Sequence, residues 1–339
     1  MPKKKIRSYL INIAAALLVF SVVYLALQLG WINSYYRSIL ILICINSIMT
    51  ISLNLATGLL GELCLGHAGF MAVGAYTAAL ISLNSGLSPY LSLTLGILTG
   101  AVTAGITAFI VGIPALRLRG DYLAIITLAF GQIITILIRS LGFTGGALGL
   151  NGIPLLTDFP LTFWMLIVTM YIVYALIRSR QGRAILAIRE DDIAAEASGI
   201  NVTHYKMLAF VISAMLAGVA GALYAHYQGV LTPEKFDYNY SIDFMVMVVF
   251  GGMGSITGSI LAAVVLTILP QLLYGFSDYR MLLYSILLIA LMIFKPSGLL
   301  GQKELSQRVF QRLGRQLWGK KAQTVPAETD IPTTVVDED

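Results

Sequence analysis

Six apolar runs of 17 to 22 residues constrain this chain more than any other feature. They are Tyr9 to Leu29, Ser38 to Leu55, Tyr90 to Val111, Tyr122 to Ile138, Leu161 to Ile177 and Met207 to Tyr227, and none contains Lys, Arg, Asp or Glu. Runs of that length match the hydrocarbon core of a bilayer. Backbone amides there find no water, so a spanning segment must be a helix that closes its own hydrogen bonds. Four further runs are interrupted or bounded by glycine: Ala68 to Leu83, Ile242 to Phe250, Ile256 to Tyr274 and Met281 to Phe294. The expectation is an all-α polytopic membrane protein of about ten transmembrane segments, some of them glycine-broken. Only 12% of the chain is charged, about half the share in soluble domains, which rules out a dispersed globular protein.

The membrane domain is expected over 1–301. It starts with Lys3-Lys4-Lys5 and an apolar run too long for the core of a signal peptide, so the run reads as an uncleaved first helix. With the N-terminus inside, eighteen Lys and Arg fall on inner segments and four (Arg37, Arg139, Lys235, Arg280) outside. This bias sets orientation by the positive-inside rule, so the net charge of +5 is a topology signal and no nucleic-acid partner is implied. Both termini are then cytoplasmic. Residues 302–339 form a cytoplasmic tail that ends in an acidic, disordered stretch. Cys44 and Cys64 read as small buried hydrophobes, without disulfide or metal spacing.

The loop 178–206 is the most distinctive polar segment. From Gly182 to Ile200 it reads as one short helix, with Ile185, Ile188 and Ile193 near helical spacing, Arg189 to Asp192 between them, and Gly199 as a stop. Such a helix either holds a soluble partner or merely joins two spans. Two glycine-rich breaks fall at membrane depth, Gly58 to Phe70 and Gly251 to Gly258. Paired breaks in the two halves of a chain point to a transport path between inverted repeats; the alternative is close packing through small residues, which Gly96-x-x-x-Gly100 and Gly254-x-x-x-Gly258 also suit. Glu62 and His67 lie in the first break, and Asp121 and Asp243 at ends of later spans. Ionisable groups at such depth default to functional roles, although Asp121 reads as an ion-pair partner of Arg117 or Arg119, and His204 and His226 as ordinary helix-end residues. Gly314 to Lys321 mimics the spacing of a P-loop but lacks its Ser or Thr. Neither a metal site nor a nucleophile and base emerges.

The chain resembles the LivM family, permease subunits of bacterial branched-chain amino acid importers of the ABC class, over roughly residues 35 to 301. The resemblance rests on Gly66-His67-Ala68-Gly69-Phe70 through Leu80, Leu116 to Ala124, Thr144-Gly145-Gly146 to Ile153, Gly182-Arg183 to Gly199-Ile200, Gly251 to Ser255, and Lys295-Pro296-Ser297-Gly298-Leu299-Leu300-Gly301. It implies a permease in the bacterial inner membrane, with no cofactor of its own, since ATP is used by partner subunits. Those partners would be a second, LivH-like permease, LivG- and LivF-like ATPases, and a periplasmic amino acid-binding protein. It further implies that the helix after Gly182 couples to the ATPase through Gly182, Arg183, Ala187, Ile188, Arg189, Glu190, Asp191, Asp192, Ala194, Ala195 and Gly199. The Glu-Ala-Ala pattern usual at this place appears as Ile193-Ala194-Ala195, with Ile in place of the acid. The translocation path is expected to draw on Asn46, Asn54, Glu62, His67, Tyr76, Thr77, Thr127, Gly251, Gly252 and Gly254.

Two other functions fit parts of this pattern. Related permeases associated with urea and short amides share these motifs, and no residue separates the substrates. A secondary transporter coupled to protons through Glu62 and His67 would need no ATPase, and would leave the 182–200 helix without a purpose.

Overall fold

The computed structural model describes residues 33–272 continuously, together with 17–18, 20–30 and isolated positions between 282 and 299. The expected tail 302–339, residues 9–16 and 19 of the first expected span and most of the last span lie outside the described residues. From Ser34 to Leu272 ten α-helices follow in order: α1 (Ser34–Asn54), α2 (His67–Asn84), α3 (Pro89–Ala115), α4 (Asp121–Ser140), α5 (Phe159–Arg178), α6 (Arg180–Glu190), α7 (Asp192–Ala197), α8 (Val202–Gln228), α9 (Tyr238–Gly251) and α10 (Ile256–Leu272). Among the described residues the sole strand-like pairing is one antiparallel bridge, Leu150 to Leu231. Among the same residues five helices are long and apolar enough to cross a membrane: α1 with its extension to Leu59, α3, α4, α5 and α8. This is an all-helical, multi-pass membrane protein.

Glycine builds the centre. Helices α2, α3 and α8 pack most extensively on one another, and they meet at Gly74, Gly100 and Gly218. A Cβ on Gly100 would stand 2.8 Å from the Gly74 carbonyl oxygen, and one on Gly218 2.5 Å from that of Gly100. Backbones therefore touch directly. In lipid, where apolar side chains gain nothing by leaving their surroundings, such van der Waals contact is what holds helices together. Gly96-x-x-x-Gly100 is part of this packing, Gly96 lying against Ala78.

The chain runs back and forth between two ends. At one, Tyr35 Oη donates to Gln271 Oε1 at 2.7 Å, Arg37 pairs with Asp158 at 2.6 Å, and Arg139 lies 3.8 Å from Glu234. At the other lie both glycine breaks and helices α6 and α7. Helix α1 and helix α9 both descend to the second end, break, and return as α2 and α10. The two hairpins thus run in the same sense, so these breaks are not mates in an inverted repeat, as the sequence suggested.

One further expectation is corrected. The 182–200 segment is two helices, because Asp191 adopts an extended conformation (φ −159°, ψ 112°) and caps α7, its Oδ1 accepting from Ile193 N and Ala194 N. His226 stands in the last turn of α8, the helix-end position expected of it; it is fully buried and within 2.6 Å of Ser82 Oγ, and so joins α8 to α2. Cys44 and Cys64 are buried and free.

Replacing Gly218 by Leu should separate α8 from α3 and cost several kcal/mol, since overpacking alone typically costs about 1–3 kcal/mol. The check is the thermal midpoint of detergent-solubilised protein, with Gly142→Leu, where a Cβ meets open space and the backbone is not left-handed, as a comparison expected to shift much less.

Candidate functional site

The two breaks, nearly two hundred residues apart, meet. Helix α1 ends in a π-helical turn over Leu55–Leu59, a rare geometry often found at functional sites. Gly58 faces Gly254 so closely that a Cβ on it would overlap Gly254 N and the Asn54 carboxamide. Asn54 closes the gap: its Oδ1 accepts from Gly254 N at 2.8 Å and its Nδ2 donates to Ser255 O at 3.0 Å. One buried side chain thereby satisfies the Gly254 amide freed by the second break, which the bilayer would otherwise penalise, and ties itself to Ser255 O, which also accepts from Ser259 N and Oγ at the start of α10.

Arg189, near the end of α6, joins this contact from outside. Its Nη1 donates to Gly58 O at 3.0 Å. The same nitrogen stands 3.1 Å from where a Cβ on Gly254 would lie, and the Arg189 Cγ 3.2 Å from where one on Gly61 would lie. Gly254 sits at φ +90° and packs in open reach of the guanidinium, so both backbone shape and space select glycine there.

A chain of charges surrounds the junction. Lys206 Nζ donates to Glu62 Oε1 at 2.5 Å, and both side chains are nearly buried. Asp192 lies 3.9 Å from Lys206 and 3.2 Å from Arg119. Arg119 therefore pairs with Asp192, where the sequence suggested Asp121. A cleft of about 380 Å³ opens between these groups and α6. Glu62 is thus held by a lysine of α8, while His67 engages Ser52, whose Oγ lies 2.7 Å from Met49 O and 2.8 Å from His67 Nε2. The two groups needed for a proton relay have different partners.

The coupling candidates lie on a compact platform. Ser179 Oγ accepts from Gly182 N at 3.1 Å, and a Cβ on Gly182 would overlap the Leu176 and Ile177 carbonyls, so glycine permits the tight turn from α5 into α6. Ile185, Ile188 and Ala195 are buried; Arg183 reaches the Arg178 carbonyl at 3.4 Å; the Ala187 carbonyl accepts from Asp191 N; the Ala194 amide is held by the Asp191 cap; Glu190 is exposed beside Arg189. Gly199, at φ +83°, ends α7, with Ile200 N donating to Ala195 O and Gly199 N to Glu196 O, the paired bonds of a glycine-terminated helix. Ile193 is 66% exposed on α7, an apolar side chain on an otherwise polar surface.

The remaining path candidates are dispersed. Thr77 Oγ1 accepts from Thr103; Thr127 Oγ1 accepts from Leu65 N at 3.1 Å and steadies the first break; Gly251 packs on Gly258, and Gly252 turns the chain at φ +103°. Tyr76 Oη donates to Leu231 O at 3.1 Å. Asn46 alone among them lines a second cavity, about 420 Å³ in volume, at the opposite end of the bundle. Lys206 as partner of Glu62, and Tyr224, Lys235 and Tyr240 around that cavity, carry no sequence signal, because nothing in linear spacing ties position 206 to 62 or 46 to 235.

Broken helices that converge on a capped polar loop, in a bundle of membrane-length helices, are the arrangement of a transport-type membrane protein. The chain belongs to the family described as branched-chain amino acid transport system / permease component, whose model matches residues 35–295. It is 39% identical to the high-affinity branched-chain amino acid transport system permease protein LivM of Salmonella typhimurium, across 75% of this chain and 67% of that one. It is 37% identical to the protein of the same name in Escherichia coli, across 83% and 74%. LivH of Escherichia coli, described as a permease of the same kind of system, is 34% identical across 42% of this chain and 46% of its own. No solved structure matches the chain.

Removing one partner of the Glu62–Lys206 pair strands a buried charge, a change that typically costs about 3–5 kcal/mol. Lys206→Met should therefore lower the thermal midpoint more than the double change Glu62→Gln with Lys206→Met. Equal loss in both would mean the pair contributes nothing as a pair.

Proposed function

We propose that this chain is a LivM-type membrane subunit of an ATP-driven importer that moves branched-chain or other apolar amino acids into the cell. The observation that carries this reading is Arg189. It belongs to the polar loop and at the same time bonds to the first break and stands against the second. A displacement of α6 and α7 therefore reaches both interrupted hairpins without passing through flexible chain. Packed interfaces switch between discrete arrangements and do not deform continuously, so a rigid push on this platform is suited to changing which end of the bundle is open.

The exposed Ile193 supports a docking role. Flanked by the capping Asp191 and by Asp192, it offers one apolar knob to a groove on a partner, and the partner in this reading is an ATPase subunit. Among the described residues, Arg117, Arg119, Arg178, Arg180, Arg183, Arg189 and Lys206 cluster toward the break end, against Arg37, Arg139 and Lys235 at the other. The positive-inside bias then orients the platform to the cytoplasm, with both termini inside and about ten segments in a bacterial inner membrane. A second, LivH-like permease, LivG- and LivF-like ATPases and a periplasmic binding protein complete the importer. ATP is hydrolysed by those partners, and this chain itself is not an enzyme.

The test is leucine uptake into proteoliposomes by the assembled complex. Arg189→Ala should reduce uptake at least tenfold while the ATPase subunits still co-purify and hydrolyse ATP. Ile193→Glu should instead release the ATPase subunits. Normal uptake by both variants would overturn the coupling role of the loop.

A further inference from the structure

The cavity at the end opposite Arg189 has no part in the coupling described above. It lies between α1, the end of α8, the 229–236 connection and the start of α9, and its volume of about 420 Å³ falls within the roughly 300–1,000 Å³ typical of small-molecule sites. Its walls are aromatic and aliphatic, with Leu42, Tyr224, Val230, Phe236 and Tyr240 among them. Phe236 packs edge-on against Tyr224 and Tyr240, with ring centroids 6.0 and 6.3 Å apart. The Tyr76 hydroxyl holds the connection in place through Leu231 O. The walls are thus preorganised.

Of the polar side chains on this lining, which also include the exposed Gln228 and Thr232, two stand out. Asn46 is buried, only 7% exposed, and donates through Nδ2 to Thr267 Oγ1 at 2.9 Å, yet its Oδ1 has no partner. A buried acceptor left unbonded costs free energy, so this oxygen favours an N–H or O–H donor. Lys235 is exposed, with its ammonium 5.2 Å from the centre of the Tyr240 ring. Its charge reaches Asp243, but among the described residues no carboxylate lies within the 4 Å of an ion pair. The lining thus combines an unpaired cation, an unbonded acceptor and a largely apolar wall.

We propose that this cavity is the outward-facing binding site of the permease for an aliphatic α-amino acid: Lys235 receives the carboxylate, Asn46 Oδ1 accepts from the ammonium, and the aromatic wall takes the side chain. The inference rests on the importer reading and adds where this chain itself holds the substrate. Charge-assisted hydrogen bonds at the two ends of the zwitterion are stronger than neutral ones and reject ligands that lack either group. Selectivity for the amino acid head would then be read by this subunit as well as by a binding protein.

The experiment uses the whole complex purified from its host, in nanodiscs and without binding protein. Equilibrium binding of radiolabelled leucine is measured in competition with leucinamide, which lacks the carboxylate, and 4-methylpentanoate, which lacks the amine. Wild type should prefer leucine to either by at least tenfold. Lys235→Ala, an exposed change that leaves the packing intact, should weaken leucine at least tenfold and abolish the preference over leucinamide, and Lys235→Arg should restore it. Asn46→Leu should abolish the preference over 4-methylpentanoate. If the wild-type complex takes up leucine while Lys235→Ala and Asn46→Leu bind and discriminate as wild type does, the site is overturned and the importer stands. If the wild-type complex takes up no leucine in the presence of ATP and binding protein, the importer reading falls, and this site with it.

Discussion

A backbone group that loses its helical partner inside a membrane must find another, and the break end of this protein is organised by that requirement. The chain interrupts α1 at Gly58 and separates α9 from α10 at Gly252 to Ser255. The amide freed by the second interruption at Gly254 is taken by the carboxamide of Asn54, which also bonds the Ser255 carbonyl. The carbonyl of Gly58 is taken by Arg189. These bonds fix the two hairpins at the end where they meet, while Asn46 to Thr267 and Tyr35 to Gln271 join α1 to α10 further along. With them, the polar loop becomes part of the membrane bundle and stops being a mere connection.

Around this junction the rest of the molecule divides into a stiff part and a switchable part. The glycine contact of α2, α3 and α8 brings backbones together with no side chain able to yield, so it suits a frame. The break end is held by polar contacts whose alternatives are close at hand: Asp192 lies between Arg119 and Lys206, and Glu62 depends on Lys206. Charged pairs with several candidate partners can exchange when a neighbouring helix moves. A frame beside an exchangeable junction is what a rigid push needs in order to turn small displacements into alternate access.

The opposite end has a different chemistry. Its contacts are aromatic, backbone-braced and preformed, and its spare polar capacity sits on Asn46 and Lys235. In the proposed reading, coupling at one end and recognition at the other are separated along the same helices, α1 above all, which carries Asn46 near the cavity and Asn54 at the junction. The two asparagines lie eight residues apart, a little over two helical turns, and both reach toward α10, Asn46 to Thr267 and Asn54 to Ser255 just before its first residue.

From sequence alone the class of the protein was legible. Runs such as Met207 to Tyr227 leave a chain no option but helices in lipid, because length and apolarity act locally. The motif resemblance carried the family, and Asn54, Arg189 and the two breaks were already singled out. Their convergence was not legible. Asn54 meets Ser255, Lys206 meets Glu62 and Arg119 meets Asp192 across long separations that no periodicity encodes. The split at Asp191 was hidden because a helical pattern continues across it, and a cap competes with propagation only once geometry lets its oxygen reach Ile193 N. The same-sense arrangement of the two breaks emerged from the fold for a related reason. Sequence marks where a helix can be interrupted, but only packing decides which interruptions face each other, since the freed backbone groups take whichever partners the tertiary structure brings within hydrogen-bonding distance.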